Sequence, residues 1–189
     1  MPTIDNKKFY RSSLQKYGQT AKGLNWTSEI RQTLRFDQIV KLLPENLDAF
    51  TLTDVGCGFG DFYNYLDKKP KKYTGIDLLQ EMVAIAKQNT SQEILCQDLI
   101  KNPPAICDYT ICSGALNILT KFETTMFLQN CYKASKKGFI FNCLTGKQSD
   151  TFNYLDKKFI EQTALTLGVN EIKYLEDYIP NDITVGFFR

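Results

Sequence analysis

The stretch TDVGCGFGDFY, Thr53 to Tyr63, constrains the chain most, because it sets Gly56, Gly58 and Gly60 between a β-rich run and a helical one. Glycines on a strand-to-helix turn let a ligand approach backbone that a Cβ would block. A dinucleotide-binding turn is the first competitor, and its GxGxxG spacing sets a pyrophosphate on a helix N-terminus. Here the spacing is GxGxG, and acids flank it, with Asp54 ending the strand and Asp61 opening the helix. Two carboxylates repel a pyrophosphate, whereas a ligand with a positive amino-acid end suits Asp54.

Around this turn, short β-rich runs alternate with helical periods, the pattern of an α/β chain with a largely parallel sheet. The strands are expected at FTLTDV, KYTGID, EILCQDL, CDYTICSGA and GFIFNCL, with helices between them. An earlier helix begins at Thr27 or Ser28 and stops at Pro44, and a polar arm dotted with aromatic residues precedes it. The last two runs, EIKYLEDY and ITVGFFR, are joined by the short turn IPND. That turn is too short for a parallel crossover, so the runs pair as an antiparallel C-terminal hairpin. The expected fold is a three-layer α/β/α sandwich around a seven-stranded, mostly parallel sheet.

Two more acids extend the argument. Asp77 ends the second strand about twenty residues past the loop, where an acid can accept both hydroxyls of a ribose. The third strand closes on Gln97 and Asp98. Ligands of open α/β sheets bind outside the carboxyl ends of the strands, which places Asp54, Asp77 and Asp98 along one crevice. Each acid alone is also an ordinary helix cap or turn residue, and the set of three is what points to a ligand.

Composition excludes several chemistries. The chain has no histidine, which removes Ser-His and Cys-His nucleophiles and every His-ligated metal site, and no metal is expected. Its six cysteines stand singly without CxxC pairs, which reads as reduced core thiols in a cytoplasmic protein. Cys57 and Cys112 have no visible activating partner. MPTIDNKKFY lacks the charged-then-apolar order of a signal peptide, and no apolar run reaches the roughly 18 residues of a membrane span. A net charge of +2 gives nucleic acid little to attract, although residues 1 to 41 hold eight Lys/Arg against three acids. Nothing in the sequence reports an oligomeric state.

The motifs DVGCGFG, GIDLLQEMVAIAK, CQDL and YTICSGALNIL together resemble those of the class I S-adenosylmethionine-dependent methyltransferases, a Rossmann-like superfamily, over about residues 50 to 145. The resemblance implies S-adenosylmethionine as cofactor. It sets Gly56 and Gly58 against the methionine part, with Asp54 on its ammonium. It gives Asp77 the ribose, packs Leu78 on the adenine, and brings Asp98 to the adenine amino group with Leu99 beside it; Cys57 in the loop and Gln97 before Asp98 are counted with the cofactor-binding residues. Ser113 and Gly114 flank the sulfonium end.

The run KYGQTAKGLNWTSEIRQTLRF looks like the N-terminal lid of small-molecule methyltransferases. Residues 1–45 are accordingly expected to form an arm and helix over a domain of residues 46–189. Tyr17 and Trp26 are expected over the cofactor, although Trp26 is equally an ordinary core anchor. Tyr10, Arg31, Arg35 and Asn117 are expected toward the acceptor, the two arginines being available for a carboxylate or, at i and i+4, forming an exposed helix face. The NPPA at Asn102 resembles the NPPY of nucleobase and amide methyltransferases, but it precedes the fourth strand where NPPY follows it. A small-molecule acceptor is therefore expected. The alternatives are an RNA or protein acceptor, or a binding protein that keeps the fold without catalysis.

Overall fold

The computed structural model describes residues 5–146 and 149–189, so the first four residues of the expected arm lie outside the described residues. The strands are β1 (Thr51–Val55), β2 (Lys72–Asp77), β3 (Glu93–Cys96), β4 (Cys107–Cys112), β5 (Ser135–Leu144), β6 (Glu171–Leu175) and β7 (Asp182–Phe188). The helices are α1 (Asn6–Tyr17), α2 (Glu29–Leu42), α3 (Asp61–Tyr65), α4 (Gln80–Thr90), α5 (Lys121–Ala134) and α6 (Lys157–Leu167). The seven strands form one sheet in the order β3-β2-β1-β4-β5-β7-β6. β1 to β5 are parallel, and β7 lies antiparallel between β5 and β6, as the short turn requires.

The central strands are apolar on both sides because both faces are covered. Phe139, Phe141 and Cys143 of β5 pack with Phe127, Leu128 and Ile160 of α5 and α6. Ile140 between them joins Phe36, Ile39, Val83 and Ala86 of α2 and α4 on the other face. Each such aromatic or aliphatic side chain, fully buried, contributes about 1.5 to 3 kcal/mol.

Ahead of α2 the chain differs from the expected arm, because it forms α1 and a 3-10 turn at Ala21–Leu24. Asp5 caps α1 by accepting the Lys8 N–H at 3.0 Å. Tyr10 and Leu14, one helical turn apart, then pack with Phe59, Leu79 and Met82 beside the glycine loop. Gly18, at φ 61°, ends the helix and turns the chain back over that loop. α2 starts where expected, with the Ser28 hydroxyl accepting the Arg31 N–H at 3.3 Å.

Candidate active site

β1, β2 and β4 all end at one edge of the sheet, and the turns that follow them line a cavity of about 500 Å³. That volume falls in the range of small-ligand sites, roughly 300 to 1,000 Å³. Asp54, Gly56, Cys57, Gly58, Asp77, Leu78, Gln97, Asp98, Leu99, Ser113 and Gly114 all line it. Topology brings them together: parallel strands in adjacent register deliver their carboxyl ends side by side.

Asp77 is the most completely held of the acids. The Gly58 N–H donates to its Oδ2 and the Leu79 N–H to its Oδ1, both at 3.0 Å. These bonds aim the carboxylate while leaving lone pairs on both oxygens. Burial pushes its pKa up to about 6 against the opposing backbone N–H bonds. Asp54 is 2% exposed and accepts one hydrogen bond, from the Tyr73 hydroxyl at 2.7 Å. Burial pushes its pKa up to about 7, with the tyrosine opposing the shift. One hydrogen bond does not satisfy a carboxylate, so Asp54 is suited to a cationic ligand group.

Asp98 accepts the Ile100 N–H at 3.1 Å and pairs with Lys101 at 3.3 Å. The Gln97 amide donates to the carbonyls of Asn102 and Pro103 at 3.0 and 2.9 Å, which fixes the NPPA loop as a structural turn. The thiols are inert: burial raises Cys57 and pushes Cys112 up to about 12.

The glycines are required for a reason the sequence reading did not weigh. A Cβ at Gly56 would lie 2.6 Å from the Ala115 Cβ, and one at Gly58 would lie 2.8 Å from Leu24 Cδ2. Other chain segments thus crowd the loop, and both residues have positive φ, 74° and 54°.

The opposite wall comes from the arm and the C-terminal part of the sheet. Tyr10, Trp26, Arg31, Arg35 and Asn117 line the cavity. Tyr17 does not: the turn at Gly18 carries Leu24, Asn25 and Trp26 inward and leaves Tyr17 42% exposed, with Lys16 over its ring. Tyr10 is half-buried, and desolvation of its hydroxyl raises its pKa, so it stays a neutral phenol. Arg35 is also placed differently from expectation. Its guanidinium is bound to the buried Asp182 carboxylate, with Nε at 2.7 Å from Oδ2, and it is not available for a ligand carboxylate. Arg31, one turn earlier, is exposed and has no carboxylate partner among the described residues.

Ser149, Phe152, Tyr154, Pro180, Asn181 and Asp182 also line the cavity and escaped the sequence reading. They lie in the turns after β5 and before β7, with Asp182 opening β7 itself, where no periodicity marks a site. The turn residues of IPND were the one available signal.

A methyltransferase-domain family model matches residues 52–138. A methyltransferase-named protein of Mycobacterium tuberculosis is 30% identical over 158 residues, which is 73% of this chain and 92% of that protein. Among solved structures, magnesium protoporphyrin IX methyltransferase of Synechocystis PCC 6803 with bound S-adenosylhomocysteine superposes with a TM-score of 0.73 at 16% identity. The match covers 98% of this chain and 100% of that one. A TehB-like S-adenosylmethionine-dependent methyltransferase of Corynebacterium glutamicum gives 0.70 at 18% identity, covering 96% and 98%. At these identities the solved structures speak for the fold, and the family match and the mycobacterial relative speak for descent. The acids at three strand ends, the glycine loop between the first two and this kinship identify the chain as a member of the class I methyltransferases, enzymes that use S-adenosylmethionine.

Proposed function

We propose that this enzyme methylates a small molecule bound in the cavity between the strand ends and the N-terminal arm. The observation that carries this reading is that the strand ends and the N-terminal arm line one and the same cavity. Tyr10, Leu24 and Trp26 cover the side facing the glycine loop, so cofactor and acceptor share a space of about 500 Å³. The basic excess of the first 41 residues is partly paired within the chain, since Arg11 pairs with Glu81 at the surface and Arg35 with Asp182 in the interior. The Synechocystis neighbour is itself named for a small-molecule acceptor.

The residues divide by chemistry. Asp77 suits two ribose hydroxyls, Asp54 suits the ammonium, and Leu78, Asp98 and Leu99 suit the adenine. Ser113 and Gly114 flank the sulfonium end. The bound cofactor supplies a methyl group on a positively charged sulfur, a leaving group that needs no protonation. The chain's task is then alignment and exclusion of water, and alignment of reacting groups is worth about 7 to 11 kcal/mol. The arm, α1 with the 3-10 turn, acts as the lid that excludes water and opens for exchange.

On the acceptor side, Asn117 Oδ1 is buried with no hydrogen-bond partner. A buried unpaired carbonyl costs about 1 to 3 kcal/mol, and a hydroxyl or N–H of the acceptor relieves that cost. Arg31 is the remaining cation for a carboxylate. The six unpaired cysteines suit a reducing, cytoplasmic setting.

Incubation with methyl-labelled cofactor and a whole-cell extract, then separated into small-molecule, RNA and protein fractions, tests the reading. Label in the small-molecule fraction is the expected result. Label confined to RNA or protein fractions, or no transfer despite saturable cofactor binding, would exclude it.

A further inference from the structure

We propose that Arg35 is a positioning residue whose task is to hold the indole of Trp26 against Gly114 and so set the wall at the methyl-bearing end of the cavity. The inference rests on the placement of that end at Ser113 and Gly114.

Three contacts carry it. The Arg35 guanidinium lies over the Trp26 ring, 4.6 Å from its centroid. The same guanidinium is pinned along its edge by hydrogen bonds to Asp182, with both residues buried, at 8% and 4% exposure. The indole in turn sits so close to Gly114 that a Cβ there would lie 2.9 Å from Trp26 Cη2 and 3.1 Å from Cζ2. A guanidinium anchored at its edge and stacked on the indole, with the indole against a residue without a side chain, leaves the ring little freedom. A lysine in this place would lack the planar face and the forked donor set that make the stack.

The stack is tied to the strand end it covers. The Ser113 hydroxyl donates to Asn142 Oδ1 at 2.8 Å, and Asn142 Nδ2 donates to Thr184 Oγ1 at 2.6 Å. Thr184 Oγ1 donates to the Tyr178 hydroxyl at 2.9 Å, which donates to Asp182 Oδ1 at 2.6 Å. Every hydroxyl in this chain both gives and receives, except the first, and the last donor ends on a carboxylate. Such a satisfied network has one arrangement, and it fixes Asp182, and through it Arg35 and Trp26, relative to Ser113.

Trp26 is the sole tryptophan of the chain, so intrinsic fluorescence reports on this one ring. In Arg35→Lys the emission is expected to shift to the red and become more accessible to iodide. S-adenosylhomocysteine affinity, measured by calorimetry, falls by about twofold to tenfold. The affinity loss is expected to disappear when Arg35→Lys is made in a Trp26→Phe background, because the ring it acts through is gone.

A merely structural link between α2 and β7 predicts otherwise: lower thermal stability, unchanged fluorescence and an affinity loss that persists in the Trp26→Phe background. That set of results would overturn the proposal. Should Arg35→Lys not fold, the paired change Arg35→Met with Asp182→Leu removes both charges together, and an unaltered tryptophan spectrum in that variant would be equally decisive against it. Binding of S-adenosylhomocysteine that Asp77→Ala does not weaken would instead count against the cofactor site itself, whatever the fluorescence shows.

Discussion

The two walls of the cavity are built by different means. The cofactor wall is made at the ends of parallel strands, where Asp77 is aimed by two backbone N–H groups and the glycine loop is fixed by tight contacts with Ala115 and Leu24. The arm wall is made by side chains on α1, the 3-10 turn and α2. It is held by Arg35 on Asp182 in the interior, by Ser13 donating to Asn25 at 2.6 Å, and at the surface by Arg11 on Glu81. Backbone geometry recurs wherever the topology recurs, whereas side-chain clamps are particular to a sequence. Under the proposed function, the first wall holds the cofactor and the second faces the acceptor.

Asp77→Ala gives the largest expected effect on the first wall. It removes the partner of one or two charge-assisted hydrogen bonds, worth about 1.5 to 3 kcal/mol each, so S-adenosylhomocysteine affinity is expected to fall by roughly tenfold to hundredfold in calorimetry. Asp54→Asn sharpens the same side through pH. The wild-type carboxyl has its pKa raised from 3.8 to about 7, so the folded protein holds a proton that the unfolded chain has lost. Its contribution to stability thus declines as pH rises from about 4 to about 7 and is flat above. At pH 8 the asparagine variant without cofactor should melt higher than the wild type. Cofactor binding brings an ammonium that favours the ionised form, so wild-type affinity should rise with pH through about 7, and the variant should lose that rise.

On the acceptor side Asn117→Leu should leave the melting temperature unchanged or raised, because it removes a buried unpaired carbonyl, while methyl transfer falls. A clear drop in melting temperature would show that Asn117 is structural. Gly18→Ala probes the arm alone. A Cβ there meets nothing within 4 Å, so only the backbone at φ 61° and ψ −155°, a region nearly confined to glycine, resists it, at about 1 to 3 kcal/mol. A loss of cofactor affinity beyond this stability cost would show that the arm's path is part of the site. Arg11→Ala is the smallest: its partner Glu81 is half exposed, and thermal melting should detect no change.

The sequence made the first wall legible and the second only in part. Glycine spacing, the sign of the flanking acids and the strand ends are local signals, and each survives in the structure at Asp54, Asp77 and Asp98. α1 was missed because few apolar residues mark it, and its order comes from Tyr10 and Leu14 packing on a distant cluster. Its one local sign was Asp5, a cap before a polar run. Arg35 was read as free because its partner lies 147 residues away, and nothing in either neighbourhood announces the other. Tyr17 shares a helical face with Tyr10 and Leu14, and only the reversal at Gly18 takes it out of reach.

The reversed direction of β7 joins distant parts of the chain at the site. Because β7 runs against its neighbour, its first residue, Asp182, arrives at the edge where the parallel strands end, paired across from Leu144. The glycine loop and the three acids thus come from one stretch, residues 54 to 98, whereas the Arg35 side of the cavity is tied to a carboxylate 147 residues further along the chain. One wall is a product of neighbouring segments and the other of a long-range closure, so a break anywhere between them would release the second and leave the first.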